Sequence, residues 1–374
     1  MSETLKKIKL IHVTESFGAG TFTVLSQIVN GLDPREYDIS IVYSLRPETP
    51  SDFRDRFDST VQLIHLPMVR KVNPAMDVTS LFRLWRILVE EKPDVVHLHS
   101  SKAGVLGRIA ARFSGVRRVF YSPHGFSFLR QDIDKKARSF YRLFERTASR
   151  FGGTVIACSE GEFDVAKSLA PRTVKINNAV DVDAIDRLIG SPSPHKADGK
   201  RQTTIGINGR ITPQRAPALF GGIAKDISRA RPGLVRFLWI GGGEEIDDLQ
   251  DSPVEITGWL SREDALRKLA AEVDVYLHTS LWEGMPIAVL EAMTVGKPVV
   301  ATDVIGNRDA VIHGKTGFLC SDLNEFTRRL FNLIDDPRLR DQLGSAGRAR
   351  VKRDFSLPLM IQRISALYEG KLTY

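Results

Sequence analysis

The sequence predicts an α/β protein built as two units, each a parallel sheet with helices on both faces. Three observations carry that expectation. The chain has 374 residues, about twice a usual domain length of 100–200. Short apolar runs alternate along it with segments whose apolar residues recur at helical spacing, the pattern of repeated strand–helix units. The segment Gly190 to Arg201 has no apolar period and several Gly, Pro and Ser breakers, so it reads as a linker.

In the first half the expected strands are Ile8–Val13, Ile39–Tyr43, Val61–Leu66, Val95–Leu98, Val119–Tyr121, Val155–Ala157 and Val174–Ile176. Leu25, Ile28, Val29 and Leu32 give the first helix one apolar face, which Asp33-Pro34 ends. The second series comprises Thr204–Ile207, Phe237–Ile240, Val254–Ile256, Val273–Leu277 and Pro298–Ala301. Beyond Leu323 only helices are expected, the last at about Leu357 to Tyr368.

A composition of 42% hydrophobic and 26% charged residues excludes disorder, collagen and coiled coil. No run approaches the ~18 apolar residues of a membrane span, and Met1 to Lys7 leads into a strand pattern instead of a signal peptide. A cytoplasmic location is expected. Cys158 and Cys320 are far apart and outside any ligand spacing, so both read as small core residues. The net charge of +8 is concentrated between Lys102 and Arg150, where twelve Lys or Arg face only Asp132, Asp134 and Glu145.

The most informative segment runs from Val273 to Val304. A strand leads through Thr279-Ser280-Leu281-Trp282-Glu283-Gly284-Met285 into a helix with Pro286 in its first turn. Glu283 is thus expected at the carboxyl end of a parallel strand, where open α/β sheets bind ligands, with Glu291 about two turns further along the helix. A helix N-terminus can hold a diphosphate while a carboxylate accepts from sugar hydroxyls. The spacing alone equally allows a loop acid and a solvated helix residue. Gly18 and Gly20 open a helix after the first strand, a place for a phosphate or a plain tight turn. His97 and His99 flank Leu98 and can be read as a metal pair, but alternate side chains on a strand give no acid to complete a ligand set. Asp181-Val182-Asp183 looks like a metal motif but is taken as structural, so no metal site is expected.

Glu283 to Glu291, with Gly284, Met285 and Pro286 after the first Glu, resembles the Glu-x7-Glu signature of glycosyltransferase family 4. Gly296-Lys297-Pro298-Val299-Val300-Ala301-Thr302-Asp303 and Gly314-Lys315-Thr316-Gly317-Phe318-Leu319 are similar to that family too. Gly209-Arg210-Ile211-Thr212-Pro213-Gln214-Arg215 resembles its diphosphate-binding turn, with Arg215 and Ala216 where Lys and Gly are usual. Arg is a planar fork where Lys is a point charge, so charge is kept while geometry differs.

The resemblance implies a GT-B fold: two Rossmann-like doubly wound domains facing across a cleft, the acceptor on residues 1–190 and the nucleotide sugar on 202–355. Residues 191–201 link them, and a final helix in 356–374 returns toward the N-terminal domain. It implies that Arg210 and Arg215 hold the diphosphate, Glu291 the ribose and Glu283 the transferred sugar, while His124, in Ser122-Pro123-His124-Gly125-Phe126, binds that sugar from the other domain. Gly18, Gly20 and Gly242, the last in Gly241-Gly242-Gly243-Glu244, approach the donor closely. Retention of configuration without a bound metal is implied, fixed cations stabilising the leaving diphosphate.

Lys135, Arg138, Arg142 and Arg146 share one face of a predicted helix, with Phe140, Tyr141 and Phe144 on its other sides. Such a helix either docks on an anionic membrane or keeps its aromatics in the core and its cations in water. Nucleic acid is not an expected partner, since no recognition motif accompanies the charge. The expected function is a retaining hexosyltransferase that needs no cofactor beyond its nucleotide-sugar donor. Its acceptor is a saccharide or a polyprenyl-diphosphate-linked saccharide, in surface polysaccharide assembly. The alternatives are a nucleotide-sugar epimerase on the same fold and a non-enzymatic basic module binding membrane or nucleic acid.

Overall fold

A computed structural model describes residues 6–190 and 202–372, so the expected linker at 191–201 lies outside the described residues. The chain forms two compact units. One comprises Met1–Leu129, Ile133–Asn178 and Leu357–Tyr374; the other comprises Arg130–Asp132 and Ala179–Ser356.

The first unit contains a seven-stranded sheet of β1 (Ile8–Thr14), β2 (Tyr37–Tyr43), β3 (Gln62–His65), β4 (Val95–His99), β5 (Arg118–Ser122), β6 (Thr154–Ala157) and β7 (Thr173–Lys175), in the order β3-β2-β1-β4-β5-β6-β7. Every pairing is parallel. Every residue of β4 is buried, as expected when helices cover both faces of a parallel sheet. The helix Ser101–Ser114 packs closely enough that a Cβ at Gly104 or Gly107 would meet Tyr121 or Leu98. The final helix, Leu357–Tyr368, belongs to this unit, and Ile361 fills the space over Gly31.

The second unit holds β8 (Thr203–Asn208), β9 (Val235–Ile240), β10 (Val254–Ile256), β11 (Val275–His278), β12 (Val299–Thr302) and β13 (Gly317–Cys320), in the order β10-β9-β8-β11-β12-β13. These pairings are all parallel as well. β13 was not among the expected strands. It is Gly317-Phe318-Leu319-Cys320, which opens on a glycine, a residue depleted in strands. The helix Val182–Ile189 belongs to this unit; Arg348 Nη2 donates to its Asp186 Oδ2 at 2.6 Å. Asp181 caps that helix by accepting from Ala184 N at 2.9 Å, a structural role that accounts for the Asp-x-Asp sequence.

Both cysteines are buried thiols. Burial pushes the Cys320 thiol up to about 12. Among the described residues no helix is long and apolar enough to cross a membrane.

Candidate active site

In the second unit β8 and β11 are neighbours, paired at Ile205 with Val275 and Gly206 with Tyr276, and the sheet's connections reverse direction between them. At such a point the loops leaving the strands' carboxyl ends diverge and open a crevice. The loop after β8 carries Arg210 and Arg215, and the loop after β11 carries Glu283. Three hydrogen bonds tie the two loops: Leu281 N to Gln214 O at 2.8 Å, Gln214 Nε2 to Trp282 O at 2.9 Å, and Thr279 Oγ1 to Arg215 O at 2.6 Å.

This lashing brings Arg215 to Glu283, with Nη1 3.4 Å from Oε1. Between them sits His278, the last residue of β11, fully buried, with Nε2 3.2 Å from Glu283 Oε1 and 2.9 Å from Arg215 Nη1. Burial, helped by the adjacent guanidinium, lowers the His278 pKa to about 4, so the ring is neutral. Burial works to raise the Glu283 pKa, but Arg215, His278 and Ser280 together overcome it and hold the carboxyl below its ordinary value. The result is a neutral imidazole between a fixed cation and a fixed anion.

Glu291 is buried in the helix Ile287–Thr294. Its Oε1 accepts from Arg262 Nε at 3.0 Å and Nη2 at 2.6 Å, and its Oε2 from Asn208 Nδ2 at 3.4 Å. Tyr276 orients Asn208 by donating to its Oδ1 at 2.7 Å. The Arg262 side chain is 41% exposed against 7% for Glu291, so the cation can swing into solvent while the carboxylate stays fixed. Pro286 occupies the N-cap of this helix, one position earlier than a first-turn proline, and no side chain caps the N-terminus. Val289 N and Leu290 N donate to Pro286 O at 3.1 and 3.2 Å, so the groups facing another acceptor are the amides of Ile287 and Ala288. Gly284 and Met285 precede it in the loop; Met285 is buried, and a Cβ on Gly306 would lie 2.6 Å from Gly284 O.

The glycine turn Gly241-Gly242-Gly243 has a packing reason of its own. Cβ atoms at Gly241 and Gly243 would lie 2.2 and 2.1 Å from Gly209 O and Ile211 O, and Gly241 has φ +144°. The turn after β9 thus lies directly against the loop that carries Arg210. Trp239 Nε1 fixes the same loop by donating to Gly209 O at 2.9 Å. Gly242 faces the Trp259 indole, 3.1 Å from where its Cβ would be.

In the first unit the corresponding reversal lies between β1 and β4. Gly18, at the N-cap of the helix Ala19–Gly31, has no room for a Cβ because Glu48 Cγ would be 2.5 Å away, whereas Gly20 faces open space. His124 follows β5 in a left-handed conformation with φ +55°. Gly125 after it is held by the buried Glu162, whose Oε1 accepts from Gly125 N at 2.7 Å and whose Oε2 accepts from Cys158 N at 2.7 Å. His124 Nε2 lies 3.0 Å from His99 Nδ1, and His99 Nε2 lies 2.9 Å from His12 Nδ1.

The strand of His97 and His99 gives no acid, but a third imidazole lies beside them. His12, in register with His97 on the adjacent strand, brings three imidazoles to within 4.8 Å of one another. Five of their six nitrogens are nevertheless engaged, His12 Nε2 being the one without a partner among the described residues: His97 Nδ1 is 2.5 Å from Tyr368 Oη and its Nε2 is 2.8 Å from Ser122 Oγ. His99 bonds His12 through Nε2 and His124 through Nδ1. The cluster is a hydrogen-bonded network rather than an open donor set.

Of the expected residues, Arg215 and Glu283 meet directly, Arg210 and Gly242 line the adjoining turns, and Glu291 sits on the helix that Glu283 precedes. His124, Gly18 and Gly20 belong to the first unit. Sequence reasoning missed His278, Arg262, Asn208, Glu162 and His12, each of which has a partner far along the chain. Only His278 carried a local signal, a histidine closing a strand just before Glu283.

Two doubly wound parallel-sheet units, with a cation and a carboxylate fixed at one sheet's point of reversal, define a GT-B glycosyltransferase. The "Glycosyl transferase 4-like domain" family matches residues 19–175, and "Glycosyl transferases group 1" matches residues 202–336. The chain is 30% identical over 98% of both chains to an Escherichia coli UDP-Gal:alpha-D-GlcNAc-diphosphoundecaprenol alpha-1,3-galactosyltransferase. It is 25% identical over 97% of both to the Staphylococcus aureus capsular polysaccharide biosynthesis glycosyltransferase CapM. In structure it is similar to Anabaena Alr3699/HepE, solved with UDP and glucose, at a TM-score of 0.77 and 19% identity, covering 97% of this chain and 100% of that one. The chain belongs to the group 1, family 4-like glycosyltransferases.

Proposed function

We propose that this glycosyltransferase moves a hexose, with retention, from a nucleoside-diphosphate sugar to a saccharide or polyprenyl-diphosphate-linked acceptor during surface polysaccharide assembly. The observation that carries the reading is the Arg215–His278–Glu283 constellation beside an uncapped helix N-terminus. Cleaving the bond from the anomeric carbon to a diphosphate builds negative charge on the leaving oxygen. Arg210, Arg215 and the first amides of the helix Ile287–Thr294 are the groups proposed to stabilise it, without need of a metal. Glu283 accepts from hydroxyls of the transferred sugar. Glu291 accepts from the ribose, which replaces Arg262, and His124 of the first unit donates to the sugar. Gly18 and Gly20 allow close approach of the donor, with the leaving phosphate assisting attack on the same face.

The helix Lys135–Ala148 supports docking at an anionic membrane. Glu145 ties it inward through Arg108 Nη2 at 2.8 Å and Tyr121 Oη at 2.7 Å. Phe140 and Phe144 are not core residues: they are 45% and 43% exposed, with Leu143 at 61%, beside exposed Lys135, Arg142 and Arg146. An apolar strip flanked by cations suits a surface that offers acyl chains under anionic headgroups.

The test is a panel of nucleotide sugars against a GlcNAc-diphosphate-polyprenol, beginning with UDP-galactose, a pair suggested by the E. coli relative. The product linkage is read by NMR. Transfer with an α linkage from an α donor, undiminished by chelator, is expected. An inverted product, or donor turnover without acceptor beyond slow hydrolysis, would refute the proposal.

A further inference from the structure

Three imidazoles of the first unit form a chain that ends on His124. The contacts are His12 Nδ1 to His99 Nε2 at 2.9 Å and His99 Nδ1 to His124 Nε2 at 3.0 Å; the last two rings stack within 9° of parallel. His12 and His99 are fully buried, and among the described residues His12 Nε2 has no hydrogen-bond partner. His97 stands apart, its nitrogens taken by Tyr368 and Ser122. Burial lowers the pKa of His12 to about 3 and of His124 to about 4, and pushes that of His99 well down.

A neutral imidazole carries one N–H, so each link has one donor and one acceptor, and the proton position in one ring dictates that of the next. Two polarities satisfy both links. If the protons point inward from His124, His12 is left with a buried N–H and no acceptor. If they point outward, His12 Nε2 is a bare nitrogen, and orphaned buried N–H donors are rarer than under-used acceptors. The outward polarity puts the His124 proton on Nδ1, the nitrogen that takes no part in the chain.

We propose that His12 and His99 are positioning residues that lock His124 as its Nδ1–H tautomer, so that it presents a fixed neutral donor to a hydroxyl of the transferred sugar. The sugar contact rests on the role proposed for His124 above; the tautomer does not.

The test uses the full chain labelled with 15N-histidine, read by long-range proton–nitrogen correlation, with kinetics on the same samples. In the wild type, His99 and His124 are expected to carry the proton on Nδ1. His12→Leu removes the donor at the head of the chain and should mix the His124 tautomers. It should also lower kcat roughly five- to tenfold, with the KM for the donor little changed, the effect of losing one neutral hydrogen bond. His12→Gln, whose amide can donate to His99 Nε2, should restore both. A wild-type His124 protonated on Nε2 overturns the proposal without any variant having to fold, and so does an unaltered tautomer in folded His12→Leu. The expected tautomers with no transfer from any nucleotide sugar would overturn the enzymatic reading alone.

Discussion

Arg215 Nη1 lies 3.4 Å from Glu283 Oε1, and each is held by a different strand of the same sheet. Neither loop could bring the two charges together alone. Their closeness follows from the pairing of β8 with β11 and from the hydrogen bonds of Gln214 to Leu281 and Trp282.

Arg215→Ala should therefore lower kcat on the order of 10²–10³-fold, as when a donor to a developing oxyanion is removed. Arg215→Lys keeps the charge and loses the fork, and should fall between. Steady-state kinetics at saturating donor measures this, and a kcat within threefold of wild type for Arg215→Ala would contradict it.

Glu291→Gln preserves shape and removes the charge that the ribose hydroxyls are proposed to meet. Donor affinity should weaken roughly tenfold, the worth of a charge-assisted hydrogen bond. Calorimetric titration with the nucleoside diphosphate reads this directly.

Acid should destabilise the fold early. His12, His124 and His278 have folded pKa values of about 3, 4 and 4, below the ordinary 6.5. Above pH 6.5 neither folded nor unfolded chain protonates them, and full stability is present. As pH falls from 6.5 toward 4 the unfolded chain takes up protons that the folded chain refuses, so stability drops. Glu283, lowered in the folded state, adds a further loss below about pH 4.5, where the unfolded carboxyl protonates first. Urea midpoints at pH 7.5, 6 and 5 should decline in that order; a flat series would contradict the buried neutral rings.

Glu145→Ala leaves Arg108, 2% exposed, without its carboxylate. Breaking a buried pair from one side should cost about 3–5 kcal/mol of unfolding free energy, measurable by urea denaturation. Exchanging both Arg108 and Glu145 for apolar residues should cost much less.

Phe140→Ser with Phe144→Ser should reduce sedimentation with anionic vesicles, and Arg142→Glu with Arg146→Glu should abolish it at low salt. None of these four side chains is placed at the donor site, so activity on a short soluble acceptor should persist. Equal binding by all variants would remove the membrane proposal.

How much was legible varied with the range of the interactions. Twelve strands were readable because each is a local apolar run, and β13 escaped because it opens on Gly317, a residue type depleted in strands. Glu283 and Glu291 were singled out by the resemblance of their segment to a family signature, since their spacing alone equally allowed a loop acid and a solvated helix residue. Glu162, which holds the turn of His124, carried no signal because its partner Gly125 lies 37 residues away.

The amino-acid order by itself determined the repeated strand–helix units, their division into two, and the carboxylates and cations available at loop positions, since all of these depend on neighbours within a few residues. Tertiary structure alone decided that His278 stands between Arg215 and Glu283, that Arg262 occupies Glu291, and that His12 joins His99 and His124. Those contacts arise from strand order in the sheets. Parallel pairing joins strands far apart in the chain, and no local pattern records which strands will be neighbours.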